Sequence, residues 1–450
     1  MMGVIKKLLI ANRGEIVCRI MRACSDLGIQ TVAVYSEADK KALYLREADE
    51  AYHIGPSNPV KSYLNIDALI DAAKKSGADA VHPGYGFLSE NAAFAEAVVS
   101  HGITWVGPSP VVLRAIESKC YCREIAYHHG VPFVPGMLTL VKSVDEIYEY
   151  IQIQGCPIVL KLDKGGGGKG IERVQEPGQI KDSFEKLSRV GVLAFGCSDC
   201  YIEQEILQPR HIEIQFLADH YGNTVCLGER ECSVQRRFQK IIEESPSPVV
   251  TPKDREALFQ HTQELVKGMG YQGAGTMEFL RSAEGNFYFM EVNARLQVEH
   301  PVTEFLTGID IVKSQLRIAS GERLNLQQEG ITFQGHAIEA RIYAEDPVSF
   351  APSPGIIQKV RFPKTDGKYL RVDHAIEDGV NVPPFYDPLL AKVISWGSNR
   401  MEAIDRLKKA LVGFHIEGIQ TTIPTNLMIL NSPKYVSGEI HTGFIGDIYP

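Results

Sequence analysis

Three oxygen-bearing side chains past the middle of the 450-residue chain suit a hard cation. The segment from Gly275 to Asn293 reads as two strands around a turn, and a turn at Glu284-Gly285 places Glu278 opposite Glu291. Facing like charges destabilise a hairpin unless something cationic lies between them. Asn293, two residues past Glu291, points to the same face. Two carboxylates and an amide oxygen thus converge as ligands of the kind Mg²⁺ takes. Directly afterwards comes Asn293-Ala-Arg295-Leu-Gln-Val298-Glu299-His300-Pro301. An arginine and a carboxylate beside such a cation suit phosphoryl transfer, where positioning and charge neutralisation do most of the work. Upstream, Arg210-His211-Ile-Glu213-Ile-Gln215-Phe216 alternates strictly, which sets His211, Glu213 and Gln215 on one face and Ile212, Ile214 and Phe216 on the other. His211 alone reads as a hydrogen-bonded sheet residue. Gln235-Arg-Arg-Phe-Gln-Lys240 gathers cations in a chain of net charge −8, which suits an anionic substrate.

A second feature is Lys164 followed by Gly165 to Gly168, Lys169 and Gly170. Its spacing matches G-x-G-x-x-G, but Ile171-Glu-Arg-Val continues as a strand and opens no helix, so a dinucleotide fingerprint is excluded. Gly170 stands where a P-loop needs its Ser or Thr. What remains is a glycine-rich flap between two strands whose N–H groups close over phosphates.

The elements that must position these residues begin with a βαβ pattern. Lys7 to Ala11 is a short apolar run, Glu15 to Leu27 repeats apolar residues at helical spacing, Gly28 stops it, and Thr31 to Tyr35 is strand-like. Ile66 to Lys75 reads as a helix ended by Gly77, and Ala80 to His82 as a buried strand end before His82-Pro-Gly-Tyr-Gly-Phe. A parallel, doubly wound sheet follows. The first strand-to-helix turn, Ala11-Asn-Arg-Gly14-Glu, lacks the glycines of a nicotinamide enzyme. From Glu117 a helical segment runs to Gly130. Residues 201 to 217 and 273 to 293 then alternate at period two, as antiparallel sheet does. Short strands, Val382-Pro-Pro-Phe-Tyr-Asp-Pro and a helix near Arg400 to Val412 follow Gly335.

Composition excludes several classes. Hydrophobic residues at 44% and charged residues at 23% describe an ordinary globular protein. No run of 18 apolar residues exists, and the amino-terminal run, broken by Lys6 and Lys7, is no signal peptide. A cytoplasmic protein is expected, with no membrane partner. A net charge of −8 argues against tracking nucleic acid. Nine cysteines without a secretion signal predict reduced thiols. Cys197-Ser-Asp-Cys200 has C-x-x-C spacing but Cys120-Tyr-Cys122 does not, so the two do not make the paired signature of a zinc site.

Read together, Ile10-Ala-Asn-Arg-Gly-Glu-Ile16, His82 to Asn91, the glycine loop, Arg210 to Gln215, Gln235 to Lys240 and Asn293 to Pro301 resemble the biotin carboxylase family. The resemblance extends to His336-Ala-Ile-Glu-Ala-Arg341-Ile-Tyr-Ala-Glu-Asp346, Pro352 to Gly355 and Tyr386 to Lys392, and so covers nearly the whole chain. The family includes the biotin carboxylase component of acetyl-CoA carboxylase and its counterparts in related biotin-dependent carboxylases such as pyruvate carboxylase. It implies an ATP-grasp fold of mixed α/β and α+β class. A wound amino-terminal α/β domain (1–116) precedes an ATP-grasp domain (117–334, lid about 133–206) and a β-rich carboxy-terminal domain (335–450).

Position by position, the resemblance implies that Lys119 and Lys161 hold ATP phosphates and that Gly167 and Gly168 belong to the lid. Glu203, Gln204, Glu205 and Ile206 would line the adenine, with His211 and Gln235 near the ribose. Glu278, Glu291 and Asn293 match Mg²⁺ ligands, with Mn²⁺ as an alternative. Lys240, Arg295, Gln297 and the backbone at Val298 match the bicarbonate site, Glu299 the general base, and Arg341 the group that stabilises the ureido oxygen of biotin. The implied reaction is ATP-dependent carboxylation of biotin through carboxyphosphate. No Met-Lys-Met segment precedes Pro450, so a separate biotin carboxyl carrier protein is expected, with carboxyltransferase subunits and a homodimer to which Arg19, Arg22 and Asp26 contribute.

Three positions depart from the family pattern: Leu162-Asp163-Lys164 replaces small residues before the lid, Gln204 stands where many members have Lys, and Phe238 where most have His. All touch the nucleotide side. They keep open a catalytically impaired protein of regulatory or assembly role; another ATP-grasp ligase is the further alternative.

Overall fold

The computed structural model describes residues 3–165 and 170–449. The amino-terminal unit is a parallel five-stranded sheet in the order Glu50–Gly55, Gln30–Ser36, Lys7–Ile10, Ala80–His82, Thr104–Trp105. The helix Glu15–Leu27 forms as its spacing predicts and ends on Gly28, whose left-handed φ of 69° lets its N–H reach back to Cys24 and Ser25. Gly77, at φ 65°, ends Ile66–Ser76 in the same way. The helical segment after Glu117 is shorter than predicted: Ser118 caps a helix over Lys119–His128, separating it from Pro110–Ile116.

An eight-stranded sheet forms the centre, in the order Phe287–Asn293, Gly273–Arg281, Arg210–Ala218, Thr224–Arg236, Gln239–Ser245, His336–Tyr343, Leu389–Gly397, Leu370–His374. It runs continuously past Gly335, because Gln239–Ser245 pairs with His336–Tyr343 through Ile242 with Ala340 and Glu243 with Glu339. Both strands are largely buried, and a buried strand must find backbone partners on each side. Ile212, Ile214 and Phe216 enter the core beside Met277 and Phe279, which leaves His211, Glu213 and Gln215 for the opposite face.

A separate three-stranded sheet, Ile171–Val174, Ile158–Leu162 and Cys200–Gln204, flanks the central one. Cys200–Gln204 therefore lies apart from Arg210–Ala218, although both fall within one alternating stretch of sequence.

On the amino-terminal helix, Arg19 is 3% exposed and ion-paired at 2.7 Å with both Glu304 and Asp310, so its charge is engaged within the chain. The face it occupies lies against the helix Ile311–Ala319. Arg22 meets Asp373 at 2.5 Å and Asp26 meets Lys313 at 2.5 Å, both keeping more than half their surface. No helix among the described residues is long and apolar enough to cross a membrane. All nine cysteines are unpaired, and burial pushes the Cys122 thiol up to about 12 and Cys200 up to about 11.

Candidate active site

The hairpin has the predicted register: Glu278 pairs with Glu291 and Thr276 with Asn293. A bulge between Glu278 and Phe279 shifts the pairing nearer the turn. The two carboxylates take different cations. Lys240 and His211 lie 3.2 Å and 3.0 Å from Glu278, whereas Lys119 stands 3.4 Å from Glu291.

Lys240 is the hub. Its ammonium donates to Glu213 at 2.7 Å, to Glu278 at 3.2 Å and to Glu299 at 2.6 Å. Arg341 donates to the other oxygen of Glu299 at 2.9 Å and to Glu243 at 2.6 Å. Arg230 completes the cluster, donating to Glu213 at 2.5 Å, Gln215 at 2.9 Å and Thr303 at 2.8 Å. Lys240 keeps 11% of its side chain exposed and the other charged members are buried, so the contest between burial and neighbouring charge decides each ionisation. Burial opposes the charge on Glu299, but Lys240, Arg341 and Arg230 outweigh it and hold the carboxyl well below the usual range. Glu278 is lowered too, because His211 and Lys240 outweigh its burial. For Glu213 burial wins, with Glu299 and Glu278 adding to it, and its carboxyl is raised. Burial likewise pushes Glu243 up to about 7 against Arg341. Two carboxyl groups of the cluster are therefore held ionised, and two are pushed toward protonation.

Arg295 lies beside this hub. It donates to Glu90 at 3.0 Å, Gln297 at 2.9 Å and Asn293 at 3.1 Å, and Gln297 donates to Thr276 at 2.8 Å. The Val298 carbonyl accepts from Lys392 at 2.7 Å. Gln235 is the register partner of Lys240 across the turn formed by Arg237 and Phe238, whose φ values are 50° and 66°. A two-residue turn with both central residues at positive φ favours Asn-Gly, and a half-exposed phenylalanine there is strained.

The predicted adenine segment sits at the end of the flanking sheet. Glu203 is committed to ion pairs with Lys161 at 2.5 Å and Arg123 at 2.8 Å, Glu205 meets Arg173 at 3.1 Å, and Gln204 and Ile206 flank it. Among the described residues no hydrogen bond or ion pair joins residues 204–206 to the Lys240 cluster. Gly167 and Gly168 lie outside the described residues.

Glu213, Arg230, Glu243, Glu90 and Lys392 escaped prediction as site residues. Strict alternation already set Glu213 beside His211, and a lone lysine inside the apolar run Leu389-Leu-Ala-Lys392-Val-Ile was a signal of a buried cation. Asp163 has a role of its own: its carboxylate accepts from Ser118 at 3.0 Å and from the Cys120 N–H at 2.8 Å, satisfying a donor at the start of the helix that bears Lys119. Asp163→Ala is expected to lower stability by about 1 kcal/mol, as loss of a helix cap does; thermal melts that show no change would contradict this.

The donor set fits Mg²⁺, since two carboxylates and an amide oxygen occupy neighbouring positions of one ladder. The central antiparallel sheet, the separate three-stranded sheet beside it and the buried cluster of carboxylates and cations around Lys240 together define an ATP-grasp enzyme. The matching family models are "Biotin carboxylase, N-terminal domain" over residues 4–113, "Carbamoyl-phosphate synthase L chain, ATP binding domain" over 119–327 and "Biotin carboxylase C-terminal domain" over 339–447. The chain belongs to the biotin carboxylase family. It is 49% identical to biotin carboxylase 1 of Bacillus subtilis, over 98% of each chain. It is 46% identical to the 2-oxoglutarate carboxylase small subunit of Hydrogenobacter thermophilus, over 98% of this chain and 93% of the relative. Among solved structures, the biotin carboxylase domain dimer of that 2-oxoglutarate carboxylase, in complex with MgADP, ADP and bicarbonate, superposes with a TM-score of 0.96 at 44% identity, covering 100% of this chain and 99% of that one.

Proposed function

We propose that the chain carboxylates biotin borne on a separate carrier protein, using ATP and bicarbonate, as the first half-reaction of a biotin-dependent carboxylase. The observation that carries this reading is the buried Glu299 gripped on one side by Lys240 and on the other by Arg341. A carboxylate so held is a poor base at rest. Bicarbonate entering the site would draw Lys240 and Arg295 to itself, and the proton affinity of Glu299 would rise as Lys240 turns away from it. Glu299 then takes the bicarbonate proton, and the freed oxygen attacks the γ-phosphorus to give carboxyphosphate and ADP. Lys119 and Lys161 neutralise phosphate charge. Bound Mg²⁺, held by Glu278, Glu291 and Asn293, would neutralise more of it. Arg341, fixed by Glu243, serves as the cation for the ureido oxygen of biotin. Lys161 is shared with Glu203, so that ion pair must loosen as ATP arrives.

A biotin carboxyl carrier protein and carboxyltransferase subunits are the partners this reading requires, and it divides this chain into domains spanning 1–116, 117–334 and 335–450. The dimer of the Hydrogenobacter relative supports a homodimer here, and nine unpaired thiols support the reducing cytoplasm.

The test is phosphate release from MgATP with and without bicarbonate, together with transfer of labelled bicarbonate into acid-labile carboxybiotin. Turnover that needs both bicarbonate and biotin is expected; a folded protein that binds ATP and fixes no label contradicts the reading. Phe238 gives a second test. Phe238→His is expected to lower the KM for ATP at unchanged fold stability or better, since histidine tolerates positive φ more readily. An unchanged KM would sink the idea that Phe238 weakens nucleotide binding.

A further inference from the structure

The stretch from Ala294 to Glu299 carries the residues assigned to bicarbonate, yet it belongs to no helix or strand. Its shape therefore depends on side chains that reach it from elsewhere. Glu90 accepts from the Ala294 N–H at 2.9 Å, Gln297 donates to Thr276 at 2.8 Å, and Lys392 donates to the Val298 carbonyl at 2.7 Å. Lys392 comes from the strand Leu389–Gly397 and is 0% exposed. Besides Val298, its ammonium meets Glu15 at 3.1 Å and lies 3.9 Å from Asp373.

Arg341 is the register partner of Lys392 on His336–Tyr343. The two cations thus leave one ladder rung on the same face, an arrangement that destabilises a sheet unless both are engaged. They are engaged with consecutive residues. Lys392 holds the carbonyl of Val298 and Arg341 the carboxylate of Glu299. A buried ammonium gives up its hydration, and an apolar residue between Ala391 and Val393 would often serve the sheet as well. Packing alone leaves this lysine without a reason.

We propose that Lys392 is a positioning residue of the active site: by fixing the Val298 carbonyl it sets the Val298–Glu299 peptide plane, and with it the direction from which the Glu299 side chain projects and the backbone that Val298 offers to bicarbonate. The inference rests on the reading above that Val298 and Glu299 receive bicarbonate. It also gives Glu15, in the first turn of the helix Glu15–Leu27, a place in the same chain of contacts, linking the amino-terminal unit to the catalytic segment through Lys392.

The test compares full-length wild type, Lys392→Met and the double variant Lys392→Met/Glu15→Gln, varying ATP and bicarbonate independently. The single variant removes the donor but strands the Glu15 carboxylate in the interior; the double variant restores charge balance while leaving the Val298 carbonyl without its partner. Both are expected to lose on the order of 10²-fold in kcat, the effect of a small misplacement of a catalytic group. Both should raise the KM for bicarbonate, with the KM for ATP within about twofold of wild type. The acid limb of the pH profile should stay in place, because Lys240, Arg341 and Arg230 set the ionisation of Glu299. A double variant that melts like wild type and turns over like it would overturn the proposal, leaving Lys392 as a charge partner of Glu15. A shifted acid limb would overturn it as well, since Lys392 would then act on the charge of Glu299 rather than on its position. Failure of the wild type to fix bicarbonate would count against the functional reading alone and is seen before any variant is made.

Discussion

Glu299→Gln is expected to lower bicarbonate-dependent phosphate release by about 10³-fold, within the range a general base contributes, while leaving a folded protein that binds MgATP. The substitution is close to isosteric. Lys240 keeps Glu213 and Glu278 and Arg341 keeps Glu243, so neither cation is left without a partner. What disappears is the acceptor for the bicarbonate proton. Activity within about tenfold of wild type, measured at saturating ATP and bicarbonate, would show that the proton goes elsewhere. Because Glu299 is held well below the usual range, the resting enzyme should not lose this base on mild acidification. Its contribution to stability has the sign of a depressed carboxyl group: it is complete above the unfolded value and is lost as pH falls toward the folded one. Glu278 adds a contribution of the same sign.

Lys240→Met should have the largest effect on the folded state, a loss of about 3–5 kcal/mol, as when one member of a buried ion cluster is removed. Three carboxylates touch this ammonium, and Glu278 would be left with His211 alone. Turnover should fall with stability, since Lys240 also faces the anion. The pH dependence separates this account from a packing defect. Without Lys240 the carboxyl groups of Glu213, Glu278 and Glu299 all bind protons more readily in the folded state, so the difference in Tm from wild type should shrink as pH is lowered from about 8 to about 5.5. A difference constant over that range would mean that lost packing, not lost charge, is responsible.

The contrast between these two variants shows which parts of the site were readable from sequence. The hairpin register that sets Glu278 against Glu291 was readable because a turn and a period of two are local rules. The helix Glu15–Leu27 with its Gly28 cap was readable for the same reason, as was the division of His211, Glu213 and Gln215 from Ile212, Ile214 and Phe216. The resemblance supplied the roles of Glu299 and Arg341, but neither it nor the spacing indicated that Glu243 would stand behind Arg341 or that Glu213 would share Lys240.

Those partnerships join residues far apart in the chain: Lys240 with Glu299, 59 positions away, and Arg341 with Glu243, 98 away. They exist because the central sheet continues past Gly335, setting the strands of Glu243, Arg341 and Lys392 side by side. Residue pattern specified the strands, their faces and the kinds of group that each face would present. Which charge meets which was settled by strand order in the folded chain, and with it why Glu299 is held as a carboxylate while Glu213 and Glu243 are driven toward protonation. Local periodicity specifies direction within one element, whereas ionisation in a buried cluster depends on distances between elements, and those are fixed only when the strands are ordered in the sheet.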